Sequence, residues 1–230
     1  WDPNQDCYLC TTRSWVHIQE VRRLQENGID IPDDKRHVAI ARSRDLLHWS
    51  PMVCVLEADQ KDPPNAQLYR MYVIPYGHGY IGLVQLFYNQ EKLMTYGPLD
   101  MHLAFSRDLV HWQRVGDRTP IIPRGPEGSW DQSHVSVLNN PPFPEGDRMR
   151  FWYGGKDTEH WQAGNAGVGT GTLRQDGFAC WEAGDEEGYL TTVPLNLHWA
   201  ITRFFLNIDA PQGEVRVAIL DADTGEPLEG

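Results

Sequence analysis

Ser43-Arg44-Asp45-Leu46-Leu47-His48-Trp49 returns 63 residues later as Ser106-Arg107-Asp108-Leu109-Val110-His111-Trp112. A long fixed period marks a repeated supersecondary unit rather than one irregular core. Each copy closes an alternating run, His37 to Arg42 before the first and Met101 to Phe105 before the second. Alternation of apolar and polar side chains is what a half-buried strand requires. The short polar side chains of Ser and Asp then bond nearby backbone and turn the chain, and Trp opens the next strand. The repeating unit is therefore strand, turn, strand, and the pattern predicts an all-β fold of the β-propeller kind.

The repeat reaches further along the chain. Aromatic strands precede both copies, Cys7 to Arg13 and Leu68 to Ile74. A third, Arg148 to Tyr153, leads through Gly167 to Leu173 into Arg174-Gln175-Asp176-Gly177-Phe178-Ala179-Cys180-Trp181, a degenerate form of the phrase. Three units in 230 residues is a slower beat than WD repeats, which recur about every 40–45 residues. The extra residues belong in rim loops, where a rigid scaffold carries function. Trp49, Trp112 and Trp181 share one repeat position, so they are read as architecture. Ile18 to Asn27 is the best helix candidate, a loop excursion stopped by Gly28.

Residues 1–193 are assigned to propeller blades and 194–230 to the opening strands of a C-terminal β-sandwich. In the latter, Arg203 to Asp209 and Glu214 to Leu220 flank a turn at Ala210 to Gly213, and a second turn follows at Asp221 to Gly225. Both ends read as the interior of a longer protein. No apolar run approaches the roughly 20 residues of a membrane span. Twenty Lys and Arg against 32 Asp and Glu leave a net charge of −12, and nucleic-acid binders need a cationic surface. Cys7-x-x-Cys10 is half a metal clamp with no second half, and on a strand its two thiols would face opposite sides.

The aromatic load points to a ligand class. Nine Trp, nine Tyr and seven Phe include several beside Gly or charge, such as Trp15-Val16-His17, Tyr76-Gly77-His78 and His160-Trp161. Rings with a polar rim suit sugars, whose C–H faces stack while hydroxyls bond neighbouring Asp, His and Arg. Carboxylates outside the repeating frame are the catalytic candidates. Asp62 precedes the Leu68 strand, where it could equally serve as a turn-former. Asp131 follows the glycine-rich stretch Gly125 to Trp130. Asp157 follows Gly154-Gly155, where paired glycines let backbone approach closely. Arg13, His134, His160 and Trp161 are the candidate substrate-binding residues. Two carboxylates flanking a glycosidic bond are the equipment of glycoside hydrolysis.

The Ser-x-Asp-Leu-x-x-Trp phrases at 43–49 and 106–112 resemble the blade endings of five-bladed propeller glycoside hydrolases. That group comprises the invertase and inulinase enzymes and the arabinanase and xylosidase enzymes, families 32 and 43. Lys61-Asp62-Pro63 is similar to their Arg-Asp-Pro motif, with Lys in place of Arg. A closer resemblance is to uncharacterised bacterial family 32-like hydrolases. It is carried by Tyr69-Arg70-Met71-Tyr72, Pro75-Tyr76, Tyr80 to Leu83, Gly128 to Asp131, Tyr153 to Gly155 and His160. Asp2-Pro3-Asn4 matches the invertase nucleophile motif only in part and is read as a hairpin turn.

The resemblance implies a glycosidase acting on a non-reducing-end sugar of an oligo- or polysaccharide, with Asp62 stabilising the transition state. It implies no organic cofactor, allows a structural divalent cation in the propeller channel, and favours a secreted or periplasmic location. Two other readings stand beside it: a catalytically silent sugar-binding propeller, and a structural or interaction propeller without a pocket. The sugar, the linkage, the stereochemical course and the oligomeric state are not legible.

Overall fold

Antiparallel pairing organises the chain into successive meanders. The computed structural model describes residues 1–14, 23, 25–28, 35–90, 96–137, 140–195 and 203–228. The first sheet runs β1 (Tyr8–Ser14), β2 (His37–Ser43), β3 (Val53–Leu56). The second is the meander β4 (Ala66–Tyr76), β5 (Gly79–Tyr88), β6 (Leu99–Ser106), β7 (Trp112–Arg114). The third consists of β8 (His134–Val137), β9 (Phe143–Glu145), β10 (Arg148–Lys156) and β11 (Ala166–Arg174), with β10 central. A parallel pair, Leu99 with His134, joins the second and third into one hydrogen-bonded path of eight strands, β11-β10-β8-β6-β5-β4 with β7 on β6 and β9 on β10. These are three blades of a β-propeller, formed in sequence order by neighbouring strands.

The repeated phrase is a self-fastened turn, identical in its two copies. Ser43 Oγ accepts from the backbone N–H of Leu46, and Asp45 Oδ1 accepts from those of Leu47 and His48. Ser106 and Asp108 do the same for Leu109, Val110 and His111. The Trp49 and Trp112 indoles donate to the carbonyls of Leu46 and Leu109 at 3.0 and 3.1 Å. Both leucines take a left-handed backbone, with φ of 64° and 68°, which is costly for a residue with a Cβ.

The third copy departs from the expected equivalence. It lacks the Ser and His that fasten the turn, and Trp181 lies outside any strand, 85% exposed. In the second blade the strand running into the phrase is β6, and its hairpin partner upstream is β5, not the Leu68 strand. The latter belongs to β4, one hairpin earlier.

Two apolar clusters hold the blades together. Val38, Ile40 and Leu56 of the first sheet pack with Leu68, Met71, Val84, Leu86 and Trp112 of the second. On the other face, Ile74, Ile81, Leu83 and Met101 pack with Val135, Met149 and Phe151 of the third. The second sheet is thus covered on both sides, and β5 is buried at every position but its last.

The chain forms two compact units, Trp1–Ala179, which holds all three sheets, and Cys180–Gly230. In the second unit the two expected turns are present, with Gly213 N–H donating to the Ala210 carbonyl and Asp221 Oδ1 accepting from the N–H of Asp223 and Thr224, but the expected strands Arg203 to Asp209 and Glu214 to Leu220 are not formed. Leu220 and Pro227 form an isolated antiparallel bridge. Of the Ile18 to Asn27 helix candidate, Arg23 and Gln25 to Asn27 are described, and Arg23, Gln25 and Glu26 are helical, while the Trp15-Val16-His17 aromatic group lies outside the described residues. No described helix is long and apolar enough to cross a membrane.

Candidate functional site

Alternating strand direction sorts the connections between two ends of the blades. The tight β4–β5 turn at 77–78 and both repeated phrases lie at one end. At the other end lie the long β5–β6 and β10–β11 connections, 89–98 and 157–165, and the inter-sheet links 57–65 and 115–133. Asp62, Asp131, Asp157, His160 and Trp161 all lie in these connections. Arg13 near the end of β1 and His134 at the start of β8 reach the same end. Asp2 is at the opposite end, where it bridges to Cys7 and accepts from the Tyr80 hydroxyl at 2.9 Å. That is a hairpin turn remote from the loop-bearing rim. A depression of about 450 Å³ at this opposite end is lined by Gln5, Arg42, Ser43 and Asp45, parts of the first repeated turn.

Tyr69 is the hub of the loop-bearing rim. Leu68 pairs with Leu86 and Arg70 with Gln85, so Tyr69 is an extra residue in β4 with no partner in the ladder. Such a bulge re-aims side chains. Here it keeps Leu68 and Met71 in one core cluster although they are three apart.

The freed Tyr69 hydroxyl lies 2.9 Å from His160 Nε2. The Arg13 and Arg36 guanidiniums lie over its ring at 5.1 and 5.7 Å, a cation–π arrangement. His160 packs edge-on against Tyr69, Phe87 and Trp161 and stacks at 6.4 Å on His134. Arg13, His134, His160 and Trp161 are therefore brought together. Trp161 is 74% exposed with a left-handed φ of 69°, an exposed aromatic in a strained backbone, which is common at ligand sites.

Polar residues brace this hub from below. Gln85 donates to the Val135 carbonyl at 3.0 Å and lies 3.3 Å from His134 Nε2. Arg70 donates to Gln85 Oε1 at 2.9 Å and to the Ser136 hydroxyl. Arg36 donates to Gln67 Oε1 at 2.7 Å. Burial pulls the His134 imidazole down to about 4, helped by His160, Arg70 and Lys156. Arg36 is lowered by burial and then by Arg13.

The carboxylates have separate settings. Asp62, its side chain 3% exposed, meets Arg114 at 3.3 Å and Arg118 at 3.0 Å. Arg118 also grips Asp59, holding that carboxyl at about 2. Arg114 is opposite Ala104, a member of the first core cluster. Asp131 accepts from the Tyr153 hydroxyl at 2.8 Å and from Ser129 at 2.9 Å, and Tyr153 packs on the second cluster. Asp62 and Asp131 therefore sit on opposite faces of the second sheet.

Asp157 closes the 157–165 loop by accepting from the Asn165 backbone and side-chain amides at 2.9 and 2.7 Å. Gly155 is needed for close approach: a Cβ there would meet Asp131 and Trp130 at 2.6 Å. Within the first interface, Asp100 lies 2.7 Å from His102 and accepts from Tyr88 at 3.0 Å. Burial, then Asp100, pushes the Tyr88 phenol upward.

No protein-family profile matches the chain. The A type blood N-acetyl-α-D-galactosamine deacetylase of Flavonifractor plautii is 39% identical over 66 residues, 26% of this chain and 8% of that protein. Among solved structures, an N-acetylgalactosamine deacetylase from F. plautii, in complex with blood group B trisaccharide, aligns with a TM-score of 0.49. It is 20% identical, over 75% of this chain and 48% of that one. Zg3597, a family 117 glycoside hydrolase of the marine bacterium Zobellia galactanivorans, aligns at 0.45 with 18% identity, over 62% and 40% of the two chains. The chain thus spans less than half the length of these solved relatives and a small part of the curated one.

Proposed function

We propose that the rim around Tyr69 binds the non-reducing end of an oligo- or polysaccharide and that the intact protein is a carbohydrate-active hydrolase cleaving the glycosidic bond there. The supporting observation is the meeting of Arg13, His134 and His160 around one bulged tyrosine, with the exposed Trp161 beside them. Trp161 offers a face for sugar C–H groups, while the imidazoles and guanidinium exchange hydrogen bonds with hydroxyls. A His134 that stays neutral at ordinary pH can accept as well as donate.

Asp131 and Asp62 are the carboxylates this reading assigns to chemistry, one as acid and one as base or stabiliser. They lie under the same end of the second sheet on its two faces, so a substrate lying across that end would have one on either side. Asp157 shapes the loop that carries His160. A polymeric glycan does not cross a membrane, which places the protein on the secreted or periplasmic side in this reading.

A second reading has its own support. The segment shared with a sugar deacetylase, and a hub built of imidazoles rather than a carboxylate pair, favour hydrolysis of an N-acetyl amide on the sugar. Incubating the full-length protein with a panel of free and N-acetylated glycans separates the readings. Monosaccharide release, with Asp131→Asn and Asp62→Asn cutting turnover at least about 100-fold at little cost in affinity, supports glycoside hydrolysis. Acetate release with intact glycan replaces it by the second reading. Binding without either product leaves a sugar-binding propeller.

A further inference from the structure

The first sheet carries a second bulge. Val38 pairs with Leu56 and Ala39 with Cys54, so Val55 is an extra residue in β3. Side chains alternate along a regular strand, which would send residues 54 and 57 to opposite faces. The extra residue cancels one alternation, and both Cys54 and Glu57 come to the face of β2 that carries Ala39 and His37. One ligand atom from each of His37, Cys54 and Glu57 lies within 4.8 Å of the others. Cys54 Sγ is 3.4 Å from the Glu57 carboxylate. His37 opens β2, Cys54 lies in β3 and Glu57 follows β3 directly, and the three share no sequence motif.

We propose that His37, Cys54 and Glu57 bind a zinc ion. Zinc takes thiolate sulfur at about 2.3 Å and imidazole nitrogen and carboxylate oxygen at about 2.0–2.2 Å in a tetrahedron. Those lengths place ligand atoms about 3.3–3.7 Å apart, so the site closes by small side-chain rotations. Glu57 is exposed and Cys54 half-buried, while the buried His37 supplies the fixed corner. Thiolate with imidazole selects zinc over calcium or magnesium, which prefer oxygen donors. On binding, the thiol gives its proton to solvent, and thiolate plus carboxylate then balance the ion's two charges. Water fills the fourth position. The ion clips β3 to the start of β2 and thereby fixes Arg36, the neighbour of His37, over Tyr69 and Phe87.

Cobalt(II) is the probe, added to metal-stripped, reduced protein. The expected result is an equimolar end point with a thiolate-to-cobalt charge-transfer band and the visible bands of a four-coordinate ion, both displaced by zinc. Cys54→Ser abolishes the charge-transfer band. His37→Gln and Glu57→Gln weaken zinc by at least about 10-fold, the lower end of what losing even an outer-sphere partner costs. Cys10→Ser and Cys180→Ser change nothing. A band that survives Cys54→Ser, a band lost in Cys10→Ser, or no band in the wild type overturns the proposal. If Cys54→Ser does not fold, alkylation of the wild type decides. Zinc must slow modification of Cys54 and spare that of the exposed Cys10, and equal rates with and without zinc count against the site.

Discussion

Tyr69 shows how much one unpaired residue can organise: two guanidiniums, a histidine and a buried phenylalanine take their places from its ring and hydroxyl. Around it, two other side chains yield measurable expectations. Asp62→Asn leaves Arg114 and Arg118 facing a neutral amide. Removing one partner of a buried ion pair costs about 3–5 kcal/mol, and because Arg118 keeps Asp59 we expect the lower end, about 3 kcal/mol, as a fall in urea midpoint. An unchanged midpoint would mean that solvent reaches the pair.

His134 takes up its proton at about 4 when folded against 6.5 when unfolded. Between those values the unfolded chain holds more protons, so stability falls as pH drops through that window. His134→Gln should flatten the fall in Tm between pH 6.5 and 4, and an unaltered slope would count against a buried neutral imidazole. Arg13, His160 and Trp161 were legible as polar and aromatic residues outside the repeat. Tyr69 was not, because in the sequence it is one more aromatic in an alternating run, and only the register of β4 against β5 reveals the slip. Asp62 was legible as a carboxylate before proline, but its arginines lie 52 and 56 residues further on.

Among elements, the two copies of the phrase offer an internal control. Leu46 and Leu109 share a left-handed backbone, but Leu46 is 53% exposed and Leu109 fully buried. Glycine relieves about 1–2 kcal/mol of steric cost at such a φ. At position 46 the change should therefore be neutral to stabilising by about 1 kcal/mol. At position 109 a buried leucine is lost as well, at about 2–5 kcal/mol, leaving a net loss that thermal unfolding will show. Equal shifts for Leu46→Gly and Leu109→Gly would refute the accounting.

Gly155→Ala forces Trp130 and Asp131 apart from β10, an overpacking of about 1–3 kcal/mol that should also broaden the Trp130 side-chain signals in NMR. The repeat was legible because the phrase carries its own hydrogen bonds and needs no distant partner. The hairpin partner of the strand that ends in it was not, since β5 is apolar at nearly every position and shows no alternation.

For the whole molecule, the second sheet has an apolar neighbour packed on each face among the described residues. The edge strands β1 and β3 and the outer strand β11 are less enclosed, and no residue of β11 is buried. Amide hydrogen exchange should therefore rank the strands. Protection should be longest in β5, shorter in β1 and β3, and shortest in β11, because opening free energy follows buried apolar packing. Similar rates in β5 and β11 would argue for a single cooperative unit. The ranking bears on the ligand rim, whose parts straddle sheets of unequal persistence. Tyr69 and Gln85 ride on the last sheet to open, and His134 on the sheet whose outer strand opens first. Occupancy by a sugar would couple those two lifetimes. Its fingerprint would be slowed exchange in β8 and β10 with no change in β5, a retardation written into the weaker sheet by a ligand anchored on the stronger one.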